Sequence, residues 1–449
     1  MAVVLEQHEE QGAGPQGSGL RSRVGRWLPT RVRQLLSMDH PKVTMPWTAY
    51  RWRQDECSQL RRLADQLYLR RRRFARLAAG VAWPLAAWRL AWQGAYSEAG
   101  EFARLRGGGP PWRQVLAMMW LAVRYNIVPE TYYHFRFYLP ERRRDVLKYI
   151  HHHDICVLFP HVRLPGAGEL GDKRKFWTTC RAKGLPSVPI FAFAEGGRVE
   201  PTDGQAELKL PACGLFIKPT DWYCGRGTER WAYDPDTRQW LRDGVRCDHD
   251  QMVAHLKSLA SDRLFLLQPQ LRNDASMAKW TPGGLSTVRV VTFRLDDEVQ
   301  TLAACMRMPR GDAHVDNFHA GGIAAAVDVA TGRLSAGVTL FPIGADLDVH
   351  PDTGERIEGE LLTCWNELNE LARAAHEATQ YTGFVGWDVT MSTDGPVVVE
   401  ANFTLCVKIL QMCYGKPLGD TNFYACFHDL LQHPAVREAI AQRDHSPGM

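Results

Sequence analysis

Two apolar runs flank Ser392-Thr393-Asp394-Gly395 in the segment GFVGWDVTMSTDGPVVVEANF, residues 383–403. An Asp-Gly turn signal between strand-like runs predicts a β-hairpin. Folding about that turn sets Asp388 opposite Glu400, and Asn402, two residues further on, shares their face. Carboxylates directly across a strand pair repel. A divalent cation removes that cost, and two carboxylates with an amide oxygen suit Mg²⁺, with Mn²⁺ as the alternative. Val397 to Val399 predict burial on both faces of the hairpin; the competing reading is a wet edge hairpin with scattered acids.

The charge balance separates one region from the rest. Residues 21–76 hold fifteen Arg or Lys against four acids, whereas the net charge of the 449-residue chain is only +4. That total is too small to indicate nucleic acid by itself. Eleven cysteines, with no CxxC pair, fit reduced and mostly buried thiols in a cytoplasmic compartment better than a disulfide frame or a zinc site. His151-His152-His153 diverge in any regular structure and lack a spaced fourth ligand. No cysteine has a recognisable His partner motif for nucleophilic catalysis. The N-terminus lacks a charged segment followed by an apolar core, so no secretory signal is expected. Leu77 to Trp92 and Val115 to Val128 are too short and too interrupted to span a bilayer.

Residues 1–20 read as a disordered polar tail and 21–150 as a basic helical region. There Leu60, Leu63, Leu67 and Phe74 recur near helical spacing, and Gly107 to Pro111 breaks the pattern. The Arg70 to Arg73 run beside Trp83, Trp88 and Trp92 leaves two readings open: a helix lying on an anionic membrane, or the solvated face of a packed helical domain. Nucleic-acid binding is disfavoured because the aromatics follow helical core spacing. From residue 151 short β-like runs (ICVLF, LFIKP, LFLLQ, VRVVTF, TLAACM) alternate with brief helices at 173–183 and 251–259. This predicts an α+β chain of antiparallel hairpins, divided into 151–272 and 273–449. Neither G-x-G-x-x-G after a strand nor a Walker A motif occurs.

Lys218 ends an apolar strand, where its charge resists burial unless an anion meets it. Gly225 and Gly227 follow in a loop that would let backbone N–H groups approach phosphate oxygens, although an ordinary hairpin turn reads the same way. Lys173 opens a helix capped by Asp172 and could reach the same anion. Pro269 frees the chain from a ladder, leaving backbone groups at Gln268, Gln270 and Leu271 for a flat heterocycle. Arg289 points opposite to Val288 and Val290, into solvent or a cleft. Arg307 and Arg310 follow the next strand, ahead of Asn317 and Gly321-Gly322.

In order, GDKRKF (171–176), LFIKP (215–219), LLQPQL (266–271), STVRVVT (286–292), VDNFHAGGIAAAVDVATG (315–332), GWDV and VVVEANF resemble the ATP-grasp superfamily. Their wording is similar to its branch associated with sugar-transfer and polysaccharide genes. The resemblance implies an ATP-grasp fold, two α+β subdomains gripping ATP between antiparallel sheets, preceded by the helical region. It implies that Lys173, Lys218, Gly225 and Gly227 hold phosphates and that Gln268, Gln270 and Leu271 frame adenine. Asp388, Glu400 and Asn402 would bind Mg²⁺, Arg289 and Arg307 would orient the γ-phosphate or a substrate carboxylate, and Asn317 would lie near the transferred group. The activity implied is a carboxylate–amine ligase working through an acylphosphate on a small-molecule or glycan-precursor acid and amine. A kinase acting on a hydroxyl and a non-enzymatic docking protein are the alternatives. The expected location is cytoplasmic, with peripheral membrane contact through the Arg-rich region.

Overall fold

The computed structural model describes residues 48–69, 75–151, 170–220, 227–295, 298–311, 318, 321–340, 343, 346–403, 405–434 and 436–438. The N-terminal region is helical, as its periodicity predicts, with α1 (Glu56–Leu69), α2 (Ala75–Ala95) and α3 (Pro111–Tyr125). Gly107, at φ 90°, takes a backbone conformation that L side chains resist and ends the helical stretch before α3. Pro111 then starts α3, where a missing N–H costs nothing. The 1–20 tail, the Arg70–Arg73 run, Phe74 and the 155–159 strand expectation lie outside the described residues.

Two antiparallel sheets follow, each with seven strands among the described residues. The first comprises β1 (Ala192–Glu195), β2 (Arg198–Pro201), β3 (Leu215–Pro219), β4 (Glu229–Asp234), β5 (Gln239–Arg242), β6 (Val245–Cys247) and β7 (Phe265–Pro269), in the order β2-β1-β7-β3-β4-β5-β6. Ahead of it runs α4 (Lys173–Ala182), and α5 (His249–Leu259) packs on it. The Asp248-x-x-Gln251 signature explains where α5 begins: the Asp248 carboxylate accepts from the Gln251 N–H at 2.9 Å and the Gln251 amide oxygen accepts from the Asp248 N–H at 3.0 Å. Leu215, Ile217, Trp231, Met252 and Leu256 form this sheet's own core.

The second sheet comprises β8 (Thr287–Leu295), β9 (Glu298–Met308), β10 (Ile323–Val327), β11 (Gly337–Thr339), β12 (Asp346–Leu347), β13 (Gly383–Ser392) and β14 (Gly395–Asn402), in the order β12-β11-β10-β9-β8-β13-β14. Helices α6 (Trp365–Thr379), α7 (Val407–Tyr414) and α8 (Phe423–Gln432) pack against it. Its core is continuous with that of the N-terminal helices, taking in Leu60, Met118, Tyr132 and Phe135 beside Trp387 and Phe427. Polar ties reinforce the join. The Gln411 amide exchanges hydrogen bonds with the backbone of Ile150 at 2.9 and 2.8 Å, and Lys148 reaches Asp420 at 2.9 Å.

Burial departs from expectation in two places. Val397 to Val399 predict burial on both faces, yet only Val398 is buried, because β14 is the last strand of its sheet; β13 is the one buried throughout. A passing segment shields that edge, with Val188 N–H donating to Val398 at 3.2 Å and Val398 N–H donating to Pro186 at 2.9 Å. The helical aromatics also divide. Trp83 is buried and donates to the Ala122 carbonyl at 3.1 Å, but Trp88 and Trp92 stand 48% and 49% exposed. On α2 the small residues Ala86, Ala87, Ala91 and Ala95 face inward instead. A helical period fixes which residues share a face, not which face meets the core.

Beneath the sheet a neutral histidine holds α6 in place. Trp387 Nε1 donates to Thr292 Oγ1 at 2.9 Å, the Thr292 hydroxyl lies 2.7 Å from His376 Nδ1, and His376 Nε2 lies 2.9 Å from the Tyr381 carbonyl. Burial pushes the His376 pKa down to about 4. The unfolded chain protonates this group near pH 6.5, so unfolding takes up a proton in the window between the two values. Stability present above that window is therefore lost as the pH falls through it, by up to about 3 kcal/mol. In His376→Gln, urea midpoints measured from pH 7 to 4 should decline less steeply than in the parent chain; equal slopes would reject this assignment.

Candidate active site

The opposition of Asp388 and Glu400 depends on an irregularity in the hairpin. Ser392 pairs with Gly395 and Val389 with Val398, but Asp388 pairs with Glu400, so Val399 is an extra residue in β14. Without that bulge Val399 would face Asp388. The bulge realigns the last part of β14, also setting Asn402 opposite Gly386. The expected juxtaposition of Asp388, Glu400 and Asn402 is present: the Asn402 amide nitrogen lies 3.3 Å from Asp388 Oδ2 and 3.1 Å from Glu400 Oε1.

Register carries this row further across the sheet. Asp388 is opposite Arg289 on β8, and Arg289 is opposite Cys305 on β9. Glu400, Asp388, Arg289 and Cys305 thus lie side by side over four strands. Arg289 forms a two-armed ion pair with Asp388, Nε to Oδ1 and Nη2 to Oδ2 at 2.8 Å, and Arg307 Nη2 reaches Oδ2 at 2.9 Å. Thr287, directly opposite Arg307, accepts from its Nε at 3.1 Å. Gly386 makes room for this arrangement, because a Cβ there would lie 3.0 Å from Arg289 Cδ and 3.0 Å from Leu405.

Asp388 is 2% exposed. Burial alone would raise its pKa, but Arg289 and Arg307 outweigh burial and hold it well below the usual carboxylate range. Arg289 does not point into solvent: it lies against Asp388, and the two guanidiniums supply compensation that the sequence argument assigned to a cation alone. The donor set still suits a hard divalent ion, since one amide already bridges both carboxylates and its oxygen can turn to join theirs. No group of three or more His, Cys, Asp or Glu that could hold a metal stands together among the described residues.

The two lysines come from the other subdomain. Asp172 caps α4, accepting from the Arg174 and Lys175 N–H groups at 2.9 and 3.1 Å. Lys173 Nζ then donates to the Thr220 carbonyl at 2.9 Å and to Pro219 at 3.4 Å, next to Lys218. Burial pushes the Lys218 pKa down to about 8; Glu400 and Asp388 pull it upward, while Lys173 opposes them. Lys218 on the first sheet therefore senses the acidic pair on the second.

Gln268 is buried on β7, opposite Phe216. The backbone at 268–270 is less free than Pro269 suggests. The strand continues through Pro269, which pairs with Leu215, and the Gln270 N–H donates to the Gly214 carbonyl at 2.8 Å. With its amide oxygen turned to Arg230, Gln270 accepts from Nε at 2.7 Å and Nη2 at 2.9 Å. Leu271 follows, half-buried. Gly227 has φ 64° and needs glycine; Gly225 and Asn317 lie outside the described residues, and Arg310 is exposed.

Thr287 and Cys305 escaped the sequence reading, although each lies two residues from a chosen arginine and so shares its strand face. Cys305 is held below its ordinary pKa by a hydrogen bond with Cys413 and by Arg307 and Arg289. The described cysteines all carry free thiols.

The model of the family described as sugar-transfer-associated ATP-grasp matches residues 167–423, more than half of the chain. The chain belongs to this ATP-grasp family. Among solved structures, this ATP-grasp chain is similar to D-alanyl-alanine synthetase A from Vibrio cholerae, at 9% identity and TM-score 0.34, over 62% of this chain and 67% of that one. It is also similar to D-alanine–D-alanine ligase from Bacillus anthracis in complex with ATP, at 12% identity and TM-score 0.33, over 62% and 69%. A comparison with curated proteins finds no match.

Arg307→Met should lower the unfolding free energy by about 3 kcal/mol, because it strips one cation from a buried carboxylate. Adding Asp388→Asn should recover part of that loss in urea denaturation; simple additivity of the two changes would sever the pair.

Proposed function

We propose that this chain is an ATP- and Mg²⁺-dependent carboxylate–amine ligase, acting on a glycan precursor or small metabolite through an acylphosphate. Membership of the ATP-grasp family supports ATP as co-substrate. The observation that carries the reading is Lys218, a half-buried cation near the end of β3, beside the Pro219 and Thr220 carbonyls that Lys173 holds, and under the electrostatic influence of Glu400 and Asp388 on the other sheet. Oppositely charged groups from separate subdomains facing one another suit a polyphosphate and its counter-ion between them.

In this reading Lys173 and Lys218 hold phosphate oxygens, and Gly225 and Gly227 belong to the loop that covers them. The β7 end, with Gln268, Gln270 and Leu271, lies along the base. Asp388, Glu400 and Asn402 hold Mg²⁺, which would neutralise charge on the triphosphate. Arg289 and Arg307 place positive charge where a γ-phosphate or substrate carboxylate is oriented, with Asn317 assigned near the transferred group. A carboxylate oxygen of the substrate attacks the γ-phosphorus, the bond to ADP breaks, and an acylphosphate forms. The amine nitrogen then attacks the acyl carbon, phosphate leaves, and the amine gives up its proton. The chain needs no nucleophile of its own, because positioning and charge carry the reaction.

A screen of carboxylate and amine pairs should reveal one that yields ADP, free phosphate and an amide. Phosphate retained on a substrate hydroxyl would make the protein a kinase, and no nucleotide turnover with any acceptor would favour the non-enzymatic reading. Glu400→Gln should abolish turnover while leaving the thermal transition near that of the parent chain; retained Mg²⁺-dependent turnover would remove Glu400 from the metal site. ATP affinity by calorimetry should fall as the pH rises through about 8, where Lys218 loses its proton. Lys218→Arg should flatten that dependence, and an unchanged profile would detach Lys218 from the phosphates.

A further inference from the structure

Helices α2 and α3 pack side by side, and both turn one side to the main core, through Ala91 and Ala95 on one and Val115, Met118 and Leu121 on the other. Each helix also leaves another side exposed. On α2 this surface carries Leu85, Trp88, Trp92 and Tyr96, with Trp88 against Trp92 and Trp92 against Tyr96 at ring-centroid separations of 6.3 and 4.6 Å. On α3 it carries Trp112, Leu116, Trp120 and Val123. Scattered apolar side chains on a surface are ordinary, but a stripe of this size on two packed helices, with alanines turned inward, is not.

We propose that this outer face docks on an anionic lipid bilayer, lying in the interface without crossing it. Tryptophan and tyrosine combine an apolar ring with a polar N–H or O–H, the pattern favoured at the level of lipid headgroups. The charge complements such a surface. Residues 82–96 and 111–125 contain Arg89, Arg113 and Arg124 and no Asp or Glu. Arg124 lines a shallow groove with Met119, Trp120 and Val123, placing a cation beside apolar floor. No helix among the described residues is long and apolar enough to cross a membrane.

Other occupants fit less well. A second copy docking by two-fold symmetry would bring arginines together with no carboxylate on the face to pair them. A polynucleotide would meet three cations spread over two helices, too few for a backbone whose binding grows with each neutralised phosphate.

The test is co-sedimentation of the full chain with vesicles of phosphatidylcholine alone or with about a third phosphatidylglycerol. The chain should pellet with the anionic vesicles, lose binding as salt rises, and show tryptophan quenching by lipids brominated near the headgroup. Trp88→Ser, Trp92→Ser and Trp120→Ser combined should lower binding by more than about tenfold, with the circular-dichroism melting curve unchanged. If that variant misfolds, Arg89→Glu with Arg124→Glu provides a second, fully exchangeable test and should also weaken binding to anionic vesicles. A parent chain that stays in the supernatant, variants that pellet as well as the parent, or a lipid-free dimer that the tryptophan changes dissociate would each overturn the proposal.

Discussion

The ion pair of Asp388 with Arg289 and Arg307 is the constraint around which the second sheet is organised. A carboxylate this deeply buried is tolerable only with cations in contact, and those cations come from the two strands next in order, β8 and β9. Their register must therefore agree with that of β13 to within a single residue. Gly386, Thr287 and the Trp387–Thr292–His376 chain all serve the same alignment, by clearing space, steadying Arg307 and fixing the sheet to α6.

The two cores divide the work. The first sheet has a core of its own and delivers Lys218 at the end of β3, where Lys173 of α4 meets the adjoining backbone. The second sheet shares its core with the N-terminal helices, so the acidic site sits on the larger and more extensively braced body. A division of this kind keeps each set of charges preorganised within its own sheet.

Much of this was legible in the sequence because it follows from local rules. The Asp-Gly turn and strand alternation located the hairpin that carries Asp388, Glu400 and Asn402, although their alignment needs the bulge at Val399; the Asp172 cap placed Lys173, and apolar runs located β3, β7, β8 and β9. What was not legible depends on partners distant in the chain. Alternation shows that Arg289 leaves the face of Val288 and Val290, but only the pairing of β8 with β13 shows that it meets Asp388. Pro269 suggested a freed backbone, while Gly214 supplies a partner to the next N–H. Triple valine suggested a central strand, while its place at the sheet's end leaves it half-covered. Trp88 and Trp92 of α2 kept their helical period and faced outward all the same.

The extra residue at Val399 ties the strand spacing of the hairpin to the placing of the acidic pair. Side chains alternate along a paired strand, so adding or deleting one paired residue between Asp388 and the turn, or between the turn and Glu400, would invert one carboxylate to the opposite side of the sheet unless a second offset restored it. The count of residues within each strand between the turn and the acidic pair thus acts as a ruler for Asp388 and Glu400, and the Thr393-Asp394 tip lies outside that measure.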